Sequence, residues 1–281
     1  MTKSLTLGFS PCPNDTFIFY GLVHGKASIP GIEFRARLED VDNLNRLAGA
    51  GGLDITKVSY HAAGHILDRY ALLRSGGALG RGCGPLIVAR PGRTKDAVLT
   101  GTVAVPGMLT TAALLLRLYA PRIKGIAVMP YDRIMEAVAA EKVNAGIIIH
   151  ESRFTYQLYG LEKIVDLGEW WEEKTNMPIP LGCIAARRSL GRGLLLEIES
   201  AIRMSLEYAR KHRREALQYC SRHAQEMDPK VMNSHIDLYV NRYSLDIGEE
   251  GVRAVERLFY EGRAKGLLPK FAGRFLAEDI T

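Results

Sequence analysis

The run Gly146-Ile147-Ile148-Ile149 ends in His150. Small and branched apolar residues in unbroken succession suit a strand covered on both faces, so an imidazole stands where such a strand emerges. Imidazole titrates near pH 6.5 and can take up a proton at neutral pH, a role that contributes roughly 10²–10⁴-fold in rate. The run alone leaves a second reading open, a hydrogen-bonded core or ligand-binding histidine. Glu151 is expected on the opposite face of the strand in a structural role. Arg153 and Tyr156 follow where a cleft rim would lie, as partners for a carboxylate or as part of a salt-bridged surface.

A second candidate group is made of hydroxyls and helix starts. Thr110 and Thr111 precede the apolar helical stretch Thr111–Tyr119, where the first N–H groups of a helix lack partners and favour an anion. They can grip a carboxylate or ligand hydroxyls, or Thr110 can cap its own helix. Ser10-Pro11-Cys12-Pro13-Asn14-Asp15 forms a similar loop with capping residues before another apolar helix, which makes Asn14 and Asp15 candidates too. Ser59 ends the strand Leu53–Val58. His61 and His65 follow four residues apart, a spacing that indicates packing on a helix face, since no third metal ligand accompanies them. His24, His212, His223 and His235 fall on expected helices in surface or partly buried settings.

The Gly80/Gly82/Gly84 cluster lacks the strand-before, helix-after context of a dinucleotide fingerprint, because a strand follows it. Its expected role is a hinge turn that needs positive φ and close backbone approach. Cys12, Cys83, Cys183 and Cys220 show no C-x-x-C spacing and read as buried free thiols; no metal site is expected. Trp170 and Trp171, taken as neighbours on a strand, would face opposite sides, so at most one could line a cleft.

These residues need elements to bring them together. Leu5–Ser10, Gly31–Leu38 and Leu53–Val58 read as strands separated by helical stretches, and the same order returns roughly 90 residues later in Thr102–Val105, Gly125–Met129 and Ala145–Ile149. Ser59 and His150 occupy matching places in the two halves. The alternation predicts an α/β protein with two lobes, a mostly parallel sheet in each, and right-handed crossovers. Ligands sit beyond the carboxyl ends of such strands, so Ser59, His150 and both loops should converge on an inter-lobe cleft. Residues 1–88 and 186–281 are expected to form a large discontinuous lobe and 89–185 a small one. The helices after about Leu190 complete the first lobe.

The whole chain narrows the function classes. Its 281 residues are 47% hydrophobic and 24% charged, ordinary globular values. No apolar run approaches the roughly 20 residues that span a bilayer, and no secretory signal is visible, so a cytoplasmic protein with no membrane partner is expected. The net charge of +6 is dispersed rather than gathered in a basic arm, which argues against nucleic acid and suits a small anionic ligand.

Several stretches together resemble the 1,4-dihydroxy-6-naphthoate synthase family of the futalosine route to menaquinone. They are Ser10 to Phe17, Asp54 to Ser59, Ala78 to Leu86, His150 to Tyr156 and Pro178 to Gly182, in a pattern running from residue 5 to about 188. The resemblance implies a two-lobed, type II periplasmic-binding-protein-like fold acting as a carbon–carbon lyase without a cofactor. Its substrate would be the small carboxylated molecule cyclic de-hypoxanthinyl futalosine. It implies His150 as proton acceptor, and Lys57-Val58-Ser59 and Thr110-Thr111 as substrate-contacting segments. Asn176-Met177 stands before Pro178 where the family pattern often has glycine; asparagine tolerates left-handed backbone, so the turn should survive. The alternatives are a non-catalytic solute-binding or sensor protein and the sibling enzyme chorismate dehydratase. A monomer or homodimer is expected.

Overall fold

The computed structural model describes residues 2–224 and 228–280. Eleven strands among these residues form two sheets. The first contains β1 (Lys3–Phe9), β2 (Ile32–Leu38), β3 (Ile55–Ser59), β4 (Tyr70–Leu72), β5 (Ala78–Gly80) and β11 (Ile179–Arg187). Its order is β2-β1-β3-β11-β4, with β5 also pairing β11. The second contains β6 (Leu86–Ala89), β7 (Thr102–Val105), β8 (Gly125–Val128), β9 (Ala145–Ile148) and β10 (Glu162–Asp166), in the order β10-β6-β9-β7-β8.

The sheets are mixed rather than mostly parallel. β2, β1 and β3 run parallel, as do β9, β7 and β8, but β11 opposes β3, and β6 opposes both β9 and β10. Direction of entry explains this. β3 and β9 end at the cleft, whereas β6 and β11 begin there, just after the chain has crossed between lobes. Each must therefore run against its neighbour: Gly182 lies opposite Ser59, and Leu86 opposite Ile148. By sheet membership β6 belongs to the second lobe and β11 to the first. The chain thus passes from the first sheet to the second between β5 and β6 and returns between β10 and β11.

Local chemistry accounts for the helices that point at the cleft. Asp40 caps Val41–Gly49 by accepting from the N–H groups of Asp42 and Asn43, and Thr110 caps Thr111–Tyr119 by accepting from Ala113. The helix Pro13–Val23 is buried along nearly its whole length because the long helix Arg192–Lys211 covers it. Trp170 and Trp171 lie on the helix Leu167–Thr175, not on a strand, because Asp166 caps it through Gly168 and Glu169. Trp171 is wholly buried and donates its indole N–H to Pro178 O at 3.1 Å; Trp170 packs edge-on to Tyr119.

The two crossings are built as turns. Gly82 has φ +65°, and a Cβ on Gly84 would stand 2.3 Å from backbone atoms of Gly168, so both requirements expected of the glycine cluster are present. Asn176 takes φ +55° at the end of its helix, the left-handed conformation expected for that position. No described helix is long and apolar enough to cross a membrane.

Candidate functional site

Between the sheets lies a cavity enclosing about 700 Å³ including its open mouth. The first lobe lines it with Asn14 and Asp15, Val41 and Leu44, and Lys57-Val58-Ser59; the second with Thr110, Thr111, Ile149 and His150. Leu181 and Tyr239 close it. Apolar walls with a few convergent polar groups are the composition of an organic ligand site. The sequence candidates from both halves are therefore neighbours around one space, with two exceptions.

Those exceptions are Arg153 and Tyr156, which do not line the cavity. Arg153 donates to the carbonyls of Gly82 and Gly84 and pairs with Asp166 at 2.7 Å, so its guanidinium holds the first crossing in place. Tyr156 is half-buried against the apolar cluster of the second lobe.

On the first-lobe side the polar groups are held rigidly. Asp15 receives the Ser10 hydroxyl at 2.7 Å, the Asn14 amide at 2.9 Å and the Lys57 ammonium at 2.7 Å, while Lys57 also donates to Gly76 O at 3.0 Å. Lys57 and Asp15 are both buried. A carboxylate so fully occupied serves to fix the ammonium rather than to take a ligand. Asn45, which sequence reasoning missed, fixes Ser59: its Oδ1 accepts from Ser59 N at 2.9 Å and its Nδ2 lies 3.2 Å from Ser59 Oγ. Its burial beside Leu44 and Ala48 on one helix was the available signal.

The second-lobe side offers a helix start. Thr110 is both cap and cavity wall, donating its hydroxyl to Gly107 O at 2.7 Å, and Thr111 donates to Leu181 O at 2.7 Å. The N–H groups of Thr111 and Ala112 precede the helix's own ladder and carry its positive end toward the cavity. His61 packs beneath, with Nδ1 3.2 Å from Thr110 O and its ring 5.3 Å from His65, so this histidine pair belongs to the packing around the site.

His150 sits two residues beyond the end of β9 with φ +56°. That left-handed turn ends the alternation of the strand, so Glu151 does not face the opposite side. It is buried, and its carboxylate lies with the His150 imidazole and the Cys12 thiol inside a 4.8 Å group. Burial raises the Cys12 thiol well above its ordinary value, so it stands as a thiol rather than the thiolate a metal prefers. Desolvation pushes His150 down to about 4; Asp15 opposes that and Lys57 adds to it. The imidazole is thus neutral, with a free lone pair, at neutral pH. Tyr131 packs edge-on to it at 5.4 Å, and His235 stacks on it at 6.0 Å with 16° between the rings. His235 is wholly buried, contrary to the surface or partly buried setting expected for it. All four cysteines are buried and free.

Comparison with known proteins bears on this arrangement. A family model described as "Menaquinone biosynthesis" matches residues 5–264. The chain is 55% identical to the 1,4-dihydroxy-6-naphthoate synthase of Thermus thermophilus, over 94% of this chain and 96% of that protein. It is 47% identical to the enzyme of the same name from Streptomyces coelicolor, over 98% of each. Among solved structures, the alkanesulfonate-binding protein of Xanthomonas axonopodis matches with a TM-score of 0.74 at 14% identity, covering 96% of both chains. The fold is therefore periplasmic-binding-protein-like, two-lobed with the cleft between.

Proposed function

The chain belongs to the menaquinone-biosynthesis family that includes the 1,4-dihydroxy-6-naphthoate synthases, and from that premise we propose that it is the synthase itself. It is a carbon–carbon lyase that converts cyclic de-hypoxanthinyl futalosine to 1,4-dihydroxy-6-naphthoate. The observation that carries this reading is an imidazole at the wall of an inter-lobe cavity, opposite buried hydroxyls and a helix start.

In this reading His150 removes a proton from the saturated, sugar-derived part of the substrate, and fragmentation with aromatisation of the bicyclic ring drives the reaction forward. The first turn after Thr110 and the Ser59 hydroxyl receive the carboxylate and the ligand hydroxyls. Val41, Leu44, Val58 and Ile149 offer an apolar bed to the ring system. Lys57, held by Asp15, supplies a fixed positive charge where negative charge develops as the proton leaves.

The test is turnover of cyclic de-hypoxanthinyl futalosine, followed by the appearance of the aromatic dihydroxynaphthoate. Wild-type protein should form it, and His150→Ala should lose roughly 10²-fold or more in kcat while still binding the substrate. Near-normal turnover in that variant would remove His150 from the role of base. Binding without turnover in the wild type would leave a solute-binding protein in its place.

A further inference from the structure

Tyr239 lines the cavity, and the proposed chemistry gives it no task. It ends the helix Pro229–Tyr239 and is only 7% exposed, on the face that also buries Met232, His235 and Ile236. Its place is fixed from several sides. The ring packs 4.7 Å from that of His235, which in turn stacks on His150. Its carbonyl receives the Ser244 hydroxyl at 3.2 Å, and Asn241 Nδ2 ties the following turn to Leu79 O at 3.0 Å, beside the first crossing.

The hydroxyl, by contrast, is unspent. Buried phenols elsewhere donate within the protein: Tyr70 to Leu53 O at 2.6 Å, Tyr243 to Glu250 at 2.6 Å and Tyr20 to Glu215 at 3.2 Å. Among the described residues nothing stands within hydrogen-bond reach of Tyr239 Oη, yet that oxygen is not sealed among protein atoms. A buried hydroxyl so placed is satisfied by what fills the space before it, water or a ligand. Burial raises the phenol above its ordinary value, so at neutral pH it keeps its hydrogen and can donate it.

We propose that Tyr239 is a further catalytic residue, whose hydroxyl donates to a ring carbonyl oxygen of the substrate and steadies the negative charge that gathers there as His150 takes the proton. The inference deepens the proposed function and rests on it. An aromatic hydroxyl is the enol form of a ring ketone, so a dihydroxynaphthoate product implies a carbonyl oxygen that becomes a hydroxyl as the bicycle aromatises. When the neighbouring carbon loses its proton to His150, the C–H electron pair enters a new ring double bond and the carbonyl π pair moves onto oxygen. Tyr239 keeps its own proton throughout and gives a hydrogen bond that strengthens as that oxygen becomes negative. The other cavity hydroxyls are less suited to this oxygen. Thr110 and Thr111 have already given their hydrogens to Gly107 O and Leu181 O. Lys57 supplies a field from its bond to Asp15, and Tyr239 supplies the direct contact on the side of the base.

Tyr239→Phe deletes one oxygen and tests this in three ways. Without ligand, its thermal unfolding midpoint should lie within about 1 °C of the wild type, whereas Tyr70→Phe, which loses its bond to Leu53 O, should fall by about 2–4 °C. An equal fall in Tyr239→Phe would show the hydroxyl spent inside the protein and overturn the proposal. In turnover of cyclic de-hypoxanthinyl futalosine, Tyr239→Phe should lose about 10²-fold in kcat with KM changed by less than about threefold. An intact kcat, with KM raised or not, would overturn the catalytic role. In protein carrying ¹³Cζ-tyrosine, the Tyr239 signal, assigned by its loss in Tyr239→Phe, should shift when 1,4-dihydroxy-6-naphthoate is added; an unmoved signal would overturn the contact. Absence of naphthoate formation in the wild type would remove the proposed function and with it the catalytic role, whereas the unfolding comparison reads the unspent hydroxyl apart from turnover.

Discussion

The left-handed backbone at His150 costs on the order of 1 kcal/mol and persists only where surrounding structure over-determines it. Here Tyr131, His235 and the end of β9 enclose the ring, and the cost places the imidazole at the cavity in a desolvated setting. Its value of about 4 lies below that of a free histidine, and only the neutral form can accept a proton. For the proposed reaction, kcat/KM should therefore be flat from neutral pH down to about 5 and fall with a midpoint near 4. A midpoint near 6.5 would show that the ring is not desolvated during catalysis. The same shift affects stability. Both His150 and His61 have folded values of about 4 against 6.5 unfolded, so the unfolded chain binds more protons between those values. Their stabilisation is complete above pH 6.5 and is lost as pH falls toward 4, about 3 kcal/mol for each. Urea midpoints should drop accordingly between pH 7 and 4.5, and His61→Gln should flatten part of that slope. The Gly146–Ile149 run made His150 legible in sequence, but nothing local announced its backbone, and so Glu151 was expected on the wrong side. His235 was readable: Met232, His235, Ile236 and Tyr239 mark one helical face, and all four are buried.

Among the elements, the strands of the two βαβαβ halves were legible because buried strands and capped helices have strong local patterns. The connections that cross the lobes were less so. Trp170 and Trp171 were misplaced on a strand although Asp166, followed three residues later by Glu169, carries a helix-start signal; the aromatic pair outweighed it. The antiparallel entry of β6 and β11 depends on where the chain arrives from, which no local pattern encodes. Arg153 links these pieces, since it binds the carbonyls of the glycine turn and pairs with Asp166, the residue that caps the following helix. The Asp166 side chain is 1% exposed, so removing its partner strands a buried charge. Arg153→Ala should therefore destabilise the protein by about 3 kcal/mol in urea unfolding. Asp166→Asn in that background should recover part of the loss, because the amide oxygen can still cap Gly168 and Glu169 without a charge. Equal stability of Arg153→Ala and wild type would reduce the clamp to a surface contact.

For the molecule as a whole, the groups proposed to act on the substrate are divided between lobes, with Lys57 and Ser59 on one and His150 and Thr110 on the other. The proposed catalysis thus depends on how the lobes meet. Several contacts set that meeting: His61 against Thr110 O, Asn45 Nδ2 3.5 Å from Leu109 O, and Gly107 beneath the helix Val41–Gly49. At Gly107 the approach is so close that a Cβ would lie 2.2 Å from Asp42 Oδ1 and 2.8 Å from its Cγ. A side chain there must push Asp42 aside or hold the lobes apart. Gly107→Val, larger than the gap left by one rotated carboxylate, should act as a wedge at the mouth while leaving each lobe's core untouched. The expected outcome is a fall in kcat of about tenfold or more, since small misplacements of a base cost heavily in orientation, with thermal unfolding close to that of the wild type. Asp42→Ala in the same chain should remove the obstacle and return most of kcat. If Gly107→Val turns over normally, the lobes do not need this contact to align His150, and the geometry that matters lies wholly within the cavity walls.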